Sequence, residues 1–281
     1  MIRNLMNAKL PAGLYIVATP IGNLSDISPR AADMLRQADV IAVEDSRVTA
    51  KLLAHLGIRK PMLPYHDHNA DRVRPELLAR MREEAVALVS DAGTPLISDP
   101  GYKLVRDARA QGLHVTTAPG PCAAVAALTL AGLPTDRFLF LGFLPARAAA
   151  RGAALREVAE VRATLILYES GPRLAATLQA VDSVLGERDA AVVREISKRF
   201  EEIATGTAAQ LAERYREAPP KGEIVILVAP PGERAAPGEE AIDSALGEAM
   251  ARLSPSRAAA EVAERLGVPR RQAYERALAL K

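Results

Sequence analysis

Three Gly/Pro-rich turns, each directly after a short apolar run, constrain this chain more than any other feature. They are Ala18-Thr19-Pro20-Ile21-Gly22-Asn23-Leu24, then Ser90-Asp91-Ala92-Gly93-Thr94-Pro95 continuing to Ser98-Asp99-Pro100-Gly101, and Ala118-Pro119-Gly120-Pro121-Cys122-Ala123-Ala124. Glycine lets backbone approach a ligand closely, proline sets the loop shape, and open α/β sheets bind ligands beyond the carboxyl ends of their strands. One such turn reads as an ordinary loop. Three at equivalent strand ends read as a composite small-ligand site. None contains Gly-Lys-Ser/Thr, and no GxGxxG follows a strand, which disfavours a nucleoside triphosphate or NAD.

The segments around these turns alternate. Leu14–Ala18, Val40–Val43, Ala85–Val89 and Val115–Thr117 read as buried strands. Pro29–Gln37, Arg47–Leu56, Arg74–Glu84 and Lys103–Gln111 read as helices, and this order predicts βαβ units in a largely parallel sheet. After Pro119–Pro121 comes a small-residue helix, Ala123–Leu130. Strands Phe138–Gly142, Thr164–Tyr168, Ala190–Arg194 and Ile224–Val228 then alternate with helices Arg151–Val161 and Arg173–Leu185. This is a second α/β domain, expected to be richer in antiparallel pairs. Ala229–Glu239 is a linker by composition. Ala241–Leu253, Ser256–Leu266 and Arg270–Leu280 read as helices, the last two resembling a helix-turn-helix with Ser256 as N-cap. The expected organisation is a tail (1–12), two α/β domains (13–120 and 121–229) with a cleft between them, a linker (230–240) and a helical unit (241–281).

Composition removes several function classes. Over 281 residues the net charge is only +2, so any nucleic-acid surface must be local. Cys122 is the sole cysteine, which excludes an internal disulfide and a cysteine-based metal cluster. His66-Asp67-His68 lacks further ligands at a zinc-like spacing, so surface hydrogen bonding is expected there and no metal. No apolar run of about 18 residues suggests a membrane span, and Met1–Pro11 has no leader pattern. These features fit a cytoplasmic protein. Two charged clusters remain. Glu44-Asp45-Ser46-Arg47 follows a strand at the ligand edge. The run Arg194–Glu202 reads as a solvated face. Lys221-Gly222-Glu223 precedes the last strand and is expected to close the second domain's side of the cleft.

Eight segments occur in order: LYIVATPIGNL, VEDSRVTAKLL, LVSDAGTPLISDPGYKLV, APGPCAAVAAL, AGLPTDRFLFLGFLP, YESGPR, REISKRFEE and KGE. Together they closely resemble the bacterial ribosomal RNA small subunit methyltransferase I family, a branch of the tetrapyrrole methylase superfamily, over residues 13–228. The resemblance implies a homodimeric enzyme with S-adenosylmethionine in the interdomain cleft. The implied reaction is 2′-O-methylation of a cytidine ribose in the decoding centre of 16S rRNA, cytidine 1402 in the family's usual rRNA numbering. Cofactor contacts are implied at Pro20, Ile21 and Gly22, at Asp91, Ala92, Gly93, Thr94 and Ile97, and at Cys122 and Ala123. The second domain would add Tyr168, Glu169, Gly222 and Glu223. One departure stands out: YES usually continues with a residue and then His-Arg, whereas Gly171-Pro172-Arg173 stands here.

A ribose hydroxyl is a weak acid, and a nearby base assists its attack on a methyl group. Asp45, Asp91 and Glu44 are the candidate bases. Lys198 or Arg47 is expected to hold phosphate or lower the hydroxyl pKa. Arg47, Lys198, Arg199, Arg270 and Arg271 are the expected RNA contacts. Two rival readings are a precorrin-type tetrapyrrole methyltransferase and a non-catalytic RNA-binding protein. The C-terminal helices argue against the first; intact Gly93, Pro95 and Gly120 argue against the second.

Overall fold

A computed structural model describes residues 9–232 and 239–280. Residues up to 230 form one compact unit and the C-terminal helices a second. The first sheet alternates strand and helix: β1 (Gly13–Val17), α1 (Pro29–Gln37), β2 (Val40–Val43), α2 (Ser46–His55), β3 (Met62–Pro64), α3 (Ala70–Arg80), β4 (Ala85–Leu88), α4 (Tyr102–Ala110) and β5 (Val115–Ala118). Its order is β3-β2-β4-β1-β5 and every pairing is parallel. Helices cover both faces, so β2 and β4 are buried throughout and read as unbroken apolar runs. Tyr15, Val17, Ile41 and Ala87 pack under α1 and α2; Leu14, Ala42, Val86 and Leu88 pack under α3 and α4.

The chain then passes through α5 (Ala123–Leu130) into β6 (Phe138–Phe143), α6 (Ala148–Glu157), β7 (Thr164–Ser170), α7 (Gly171–Leu185), β8 (Asp189–Arg194), β9 (Glu202–Thr207), α8 (Ala208–Arg214) and β10 (Glu223–Val228). This second sheet has the order β6-β7-β10-β8-β9, with β6–β7 parallel and the other pairs antiparallel. Helix α5 packs on one face, through Ala124, Ala127 and Leu128 against Ile166 and Val193. Helices α6, α7 and α8 cover the other. Helices α9 (Glu239–Met250), α10 (Pro255–Leu266) and α11 (Arg270–Ala279) share a separate core of Ile242, Leu246, Val262, Val268 and alanines. No helix among the described residues is long and apolar enough to cross a membrane.

Several sequence expectations shift. Helix α3 starts a turn before the expected Arg74, because the Ala70 N–H reaches the His66 carbonyl at 2.9 Å and Asn69 Oδ1 accepts the His66 N–H at 2.9 Å. Pro75 therefore lies inside the helix and costs it one hydrogen bond. Helix α6 starts at Ala148 rather than Arg151 and ends before Val158, so its alanine run lies inside the helix. The N-cap of α10 is Ser254, with Pro255 in the first turn, and the expected cap Ser256 is inside the helix. Strands β3 and β9 and helix α8 were not anticipated. Most of the expected linker, 233–238, lies outside the described residues, as do residues 1–8 of the expected tail.

Candidate functional site

The three turns meet through their own backbones. Thr19 and Gly93 form a two-way bridge, with N–H to carbonyl distances of 2.8 and 3.1 Å. The Thr94 hydroxyl donates to the Pro121 carbonyl at 2.9 Å. The Tyr168 hydroxyl, from the second sheet, accepts the Ala124 N–H at 3.2 Å. The turns after β1, β4 and β5 thus become one wall, and the end of β7 is tied to it.

That wall and the second sheet enclose a cavity of about 400 Å³, within the range of small-ligand sites. The first sheet's turns line it with Ile21, Asp91, Ala92, Gly93, Thr94 and Ile97, and with Cys122 and Ala123 from the third turn. Tyr168, Glu169, Gly222 and Glu223 line the opposite side. Pro20 and Gly22 do not. Gly22 instead packs against Lys198: a Cβ there would lie 2.4 Å from Lys198 Cγ and 2.8 Å from the Ile196 carbonyl oxygen. The sequence reading missed Ser98, Asp99, Phe143, Ser170, Ile196 and the start of β10 at Ile224 and Val225. Ser98 and Asp99 belong to a motif already singled out. Phe143 and Ile196 carried no signal of their own, since they enter through the apposition of the two sheets.

The proposed bases differ in surroundings. Asp45 does not line the cavity. It caps α2, accepting the Arg47 N–H at 2.8 Å, and pairs with the Arg47 guanidinium at 2.6 Å. The Arg47 hydrogen bonds hold its carboxyl down at about 2, a value that makes it a weak base. Glu44 and Asp91 line the cavity and brace the turns. Asp91 Oδ1 accepts the Asp45 N–H at 3.0 Å, and the Glu44 carboxyl accepts the Asp91 N–H. Burial pushes both carboxyls up, and the mutual charge adds to it for Glu44. Asp99 is the most displaced: burial, with further charge from Glu44, Asp91 and Asp67, pushes it up to about 6.

Lys198 stands at the cavity's edge as a clamp. Its ammonium sits 3.0 Å from Glu195 Oε1 and 2.8 Å from Glu223 Oε2, while the Glu223 N–H also donates to Glu195 at 3.1 Å. Burial works against its charge, but Glu223 and Glu195 outweigh it and hold its pKa above the ordinary lysine value. The charge run expected to be a solvated face is therefore in part a tight turn, in which Glu195 and Ser197 take left-handed backbone angles (φ 50° and 59°). Arg199 is exposed, stacked 5.6 Å over the Phe200 ring. In the C-terminal unit, Arg270 and Arg271 are exposed at the start of α11, with Arg271 paired to Glu275 at 2.8 Å. Arg276, beside them in sequence, instead binds Glu239 and Asp243 and holds α11 to α9.

Glu169 is the buried polar centre of the second sheet's edge. Its side chain is fully enclosed; it accepts the Ser170 N–H at 2.8 Å and the Thr177 hydroxyl at 2.6 Å. Arg173 Nε lies 3.2 Å away as an ion pair without hydrogen-bond alignment, and Arg173 Nη2 donates to the Leu144 carbonyl at 2.6 Å. Pro172, where the related motif carries histidine, occupies the first turn of α7, a position that needs no N–H.

Within one compact unit, a parallel sheet and a mixed sheet, each covered by helices, share the cavity, and this body is that of a tetrapyrrole methylase. The family model of tetrapyrrole (corrin/porphyrin) methylases matches residues 13–212, and that of the RsmI C-terminal HTH domain matches 235–281. Diphthine synthase shares the fold at a TM-score of 0.63 with 16% identity, over 77% of this chain and 89% of its own. Uroporphyrin-III C-methyltransferase from Thermus thermophilus, solved with S-adenosylhomocysteine, does so at 0.54 with 22% identity, over 76% and 96%. The chain belongs to the ribosomal RNA small subunit methyltransferase I family. Proteins of that name from Erythrobacter litoralis and from Escherichia coli O157:H7 are 55% and 45% identical to it, over 97% and 94% of this chain and 96% and 94% of theirs.

Proposed function

We propose that this chain uses S-adenosylmethionine to methylate the 2′-hydroxyl of a cytidine ribose in the decoding centre of small-subunit rRNA. The charge of the cavity carries the reading. Five carboxylates line it and, among the described residues, no lysine, arginine or histidine does. Such a lining suits a cofactor bearing a sulfonium and an ammonium, and opposes a nucleotide polyphosphate. The tetrapyrrole alternative is opposed instead by the similarity, over nearly the whole chain, to proteins named ribosomal RNA small subunit methyltransferase I. Ile21, Ile97 and Ile196 offer apolar contact for a nucleoside, and the backbone at Ala92–Thr94 and Cys122–Ala123 offers hydrogen bonds.

When bound, the cofactor supplies a methyl carbon already activated by its sulfonium. The protein's own part is positioning, which accounts for much of the acceleration in such displacements. Thr94 ties two turns of one wall together, and Tyr168 holds the second sheet's side to that wall. Lys198 closes its rim through Glu195 and Glu223 and, on this reading, supports the site rather than contacting the acceptor. Arg47, Arg199, Arg270 and Arg271 supply positive charge toward RNA phosphates. A cytoplasmic location follows from the substrate.

Mapping methylated nucleotides by mass spectrometry, after incubation with small subunits from a strain lacking the modification, tests the reading. One cytidine ribose in the decoding centre is the expected product. Methylation of a tetrapyrrole with none on RNA would reverse it. Arg270→Ala with Arg271→Ala is expected to weaken RNA binding and to reduce the log–log salt slope by about 2, with cofactor affinity unchanged. A salt slope equal to that of the parent would remove α11 from the interface.

We further infer a homodimer, supported by the exposed Phe138 on edge strand β6 and the exposed Val125 and Leu130 of α5. Sedimentation velocity at micromolar concentration is expected to give a dimer, shifted toward monomer by Phe138→Glu. A monomer at all concentrations contradicts it.

A further inference from the structure

We propose that the N-terminal end of α6 is a phosphate site, at which Arg147 and Arg151 hold a backbone phosphate of the RNA strand whose ribose enters the cavity. The assignment rests on the methyltransferase reading above. Two separate features of the loop between β6 and α6 carry it.

The first is the helix end. Arg147 is the N-cap of α6, and its side chain caps nothing. The first bond of the helix runs from the Arg151 N–H to the Arg147 carbonyl at 2.9 Å. The N–H groups of Ala148, Ala149 and Ala150 therefore have no acceptor within the helix. The first turn holds no carboxylate, and Ala146 to Ala150 are all exposed. The positive end of the helix dipole thus faces solvent without a counter-charge, the arrangement that receives anions.

The second is Arg151. It is only 8% exposed, a burial that charged side chains seldom reach unless paired. Among the described residues it forms no ion pair. Its Nε has no hydrogen-bond partner, and its Nη1 makes a long bond of 3.4 Å to the Ala146 carbonyl. That bond fixes where the side chain points. Ala146 precedes the N-cap, so the guanidinium lies back along α6 at the helix's own positive end, the direction in which helical side chains lean. Two positive groups meet where the chain supplies no anion. A buried, unpaired guanidinium beside a helix N-terminus is unfavourable on both counts, and a phosphate from outside relieves both. The planar fork of arginine suits phosphate oxygens.

The loop also connects this end to the cavity. Phe143, the last residue of β6, lines the cavity. Arg147 follows it by four residues, a reach of at most about 14 Å. Arg173, paired with the cavity's Glu169, donates to the Leu144 carbonyl at 2.6 Å and so pins the start of the loop to α7. Pro145 and Ala146, between the two ends, are exposed and uncharged. A strand with its ribose in the cavity can therefore lay a neighbouring phosphate on α6.

The test compares full-length wild type, Arg147→Ala, Arg151→Gln and Ala149→Glu, each saturated with S-adenosylhomocysteine. Three readouts are taken: binding to small subunits lacking the modification as a function of salt, S-adenosylhomocysteine affinity, and thermal unfolding. Ala149→Glu is the decisive variant, because its two effects have opposite signs. A carboxylate in the first turn favours the helix, so Tm should hold or rise. It also takes the anion's place, so subunit affinity should fall by about tenfold. Arg147→Ala is expected to reduce the log–log salt slope by about 1, with S-adenosylhomocysteine affinity unchanged. Arg151→Gln should weaken subunit binding by about tenfold as well; if it does not fold, the two exposed variants still decide. Wild-type subunit affinity and salt slope in both Ala149→Glu and Arg147→Ala overturn the proposal, as does a loss of subunit binding that S-adenosylhomocysteine affinity follows in step. Calorimetry with inorganic phosphate separates RNA backbone from free anion. Phosphate binding that Ala149→Glu abolishes, with subunit binding unchanged, would make this a free-anion site and overturn the assignment to RNA. If wild type binds S-adenosylhomocysteine but no small subunit, the substrate reading fails and the assignment falls with it. If wild type binds both and the variants match it, the phosphate site fails alone.

Discussion

Replacing Arg173 with methionine is expected to destabilise the protein by about 4 kcal/mol, chiefly because it strands a fully enclosed carboxylate. Glu169 has no access to solvent, and Arg173 Nε is the cation beside it at 3.2 Å. Breaking one side of a buried pair costs about 3–5 kcal/mol, most of it the burden of the charge left behind. The lower end applies here, since the Arg173 side chain is 31% exposed and water reaches the pair from that side. The Leu144 carbonyl also loses a donor at 2.6 Å, worth about 1 kcal/mol. For a body of this size the sum corresponds to a fall in Tm of roughly 8–16 °C. Glu169 also lines the cavity, so S-adenosylhomocysteine affinity should fall as well. Adding Glu169→Gln removes the stranded charge, keeps a group for the Thr177 hydroxyl, and should regain about half the lost stability. Thermal unfolding of the three variants decides it. An Arg173→Met shift under about 2 °C, or no recovery in the double variant, would show that the enclosed charge is not what Arg173 holds in place.

Much of this arrangement was legible in the sequence, because the features that build it are periodic or punctuated. The helices Pro29–Gln37 and Ala123–Leu130 and the strand Val40–Val43 have the boundaries their apolar patterns imply. The Gly/Pro turns mark one wall of the cavity, although Pro20 and Gly22 stay out of its lining. The parts that were not legible have physical reasons. Strand β3 is three residues long, ends in proline and lies on the sheet edge, so it shows no alternation. Strand β9 is also an edge, and its start is submerged in the charge run that precedes it. Acidic residues at strand ends drew the search for a base toward Asp45 and Asp91. Asp45 turned out to be a helix cap, a role that the order Asp-Ser-Arg before a helix already suited. Asp99 enters the cavity wall on a loop with left-handed Leu96 and Ser98, and a left-handed leucine leaves no trace in composition or period. The clamp at Lys198 was hidden for a different reason. Its partners Glu195 and Glu223 lie in the turn after β8 and at the start of β10, and Gly22, which makes room for its stem, belongs to the turn after β1.

That clamp sets the second large expectation: Gly222→Ala should weaken S-adenosylhomocysteine binding by about 100-fold. Two costs act at one atom. Gly222 has φ +96°, which an L side chain adopts only with strain, of about 1–3 kcal/mol. The new Cβ would also lie 2.1 Å from Glu195 Oε1 and 2.4 Å from its Cδ, closer than any non-bonded contact allows. A side-chain tip can ordinarily swing away, but this one cannot do so cheaply. Glu195 Oε1 accepts from Lys198 Nζ at 3.0 Å and from the Glu223 N–H at 3.1 Å. Glu195 is itself held at φ 50°, so backbone relaxation meets a second strained residue. Moving it releases Lys198 from one of its two carboxylates and shifts the start of β10, where Gly222, Glu223 and Ile224 line the cavity. The loss should therefore appear first in cofactor affinity. A 100-fold weakening is about 2.7 kcal/mol, within what strain and the lost charge-assisted hydrogen bonds jointly supply. Calorimetry with S-adenosylhomocysteine measures it, and Glu195→Ala combined with Gly222→Ala separates the two costs. If the clash dominates, the double variant binds more tightly than Gly222→Ala alone. If backbone strain dominates, removing the Glu195 carboxylate leaves the affinity where it was or lowers it further. Wild-type affinity in Gly222→Ala would mean that the turn before β10 yields easily, and that the Lys198 clamp does not hold the cavity's far wall.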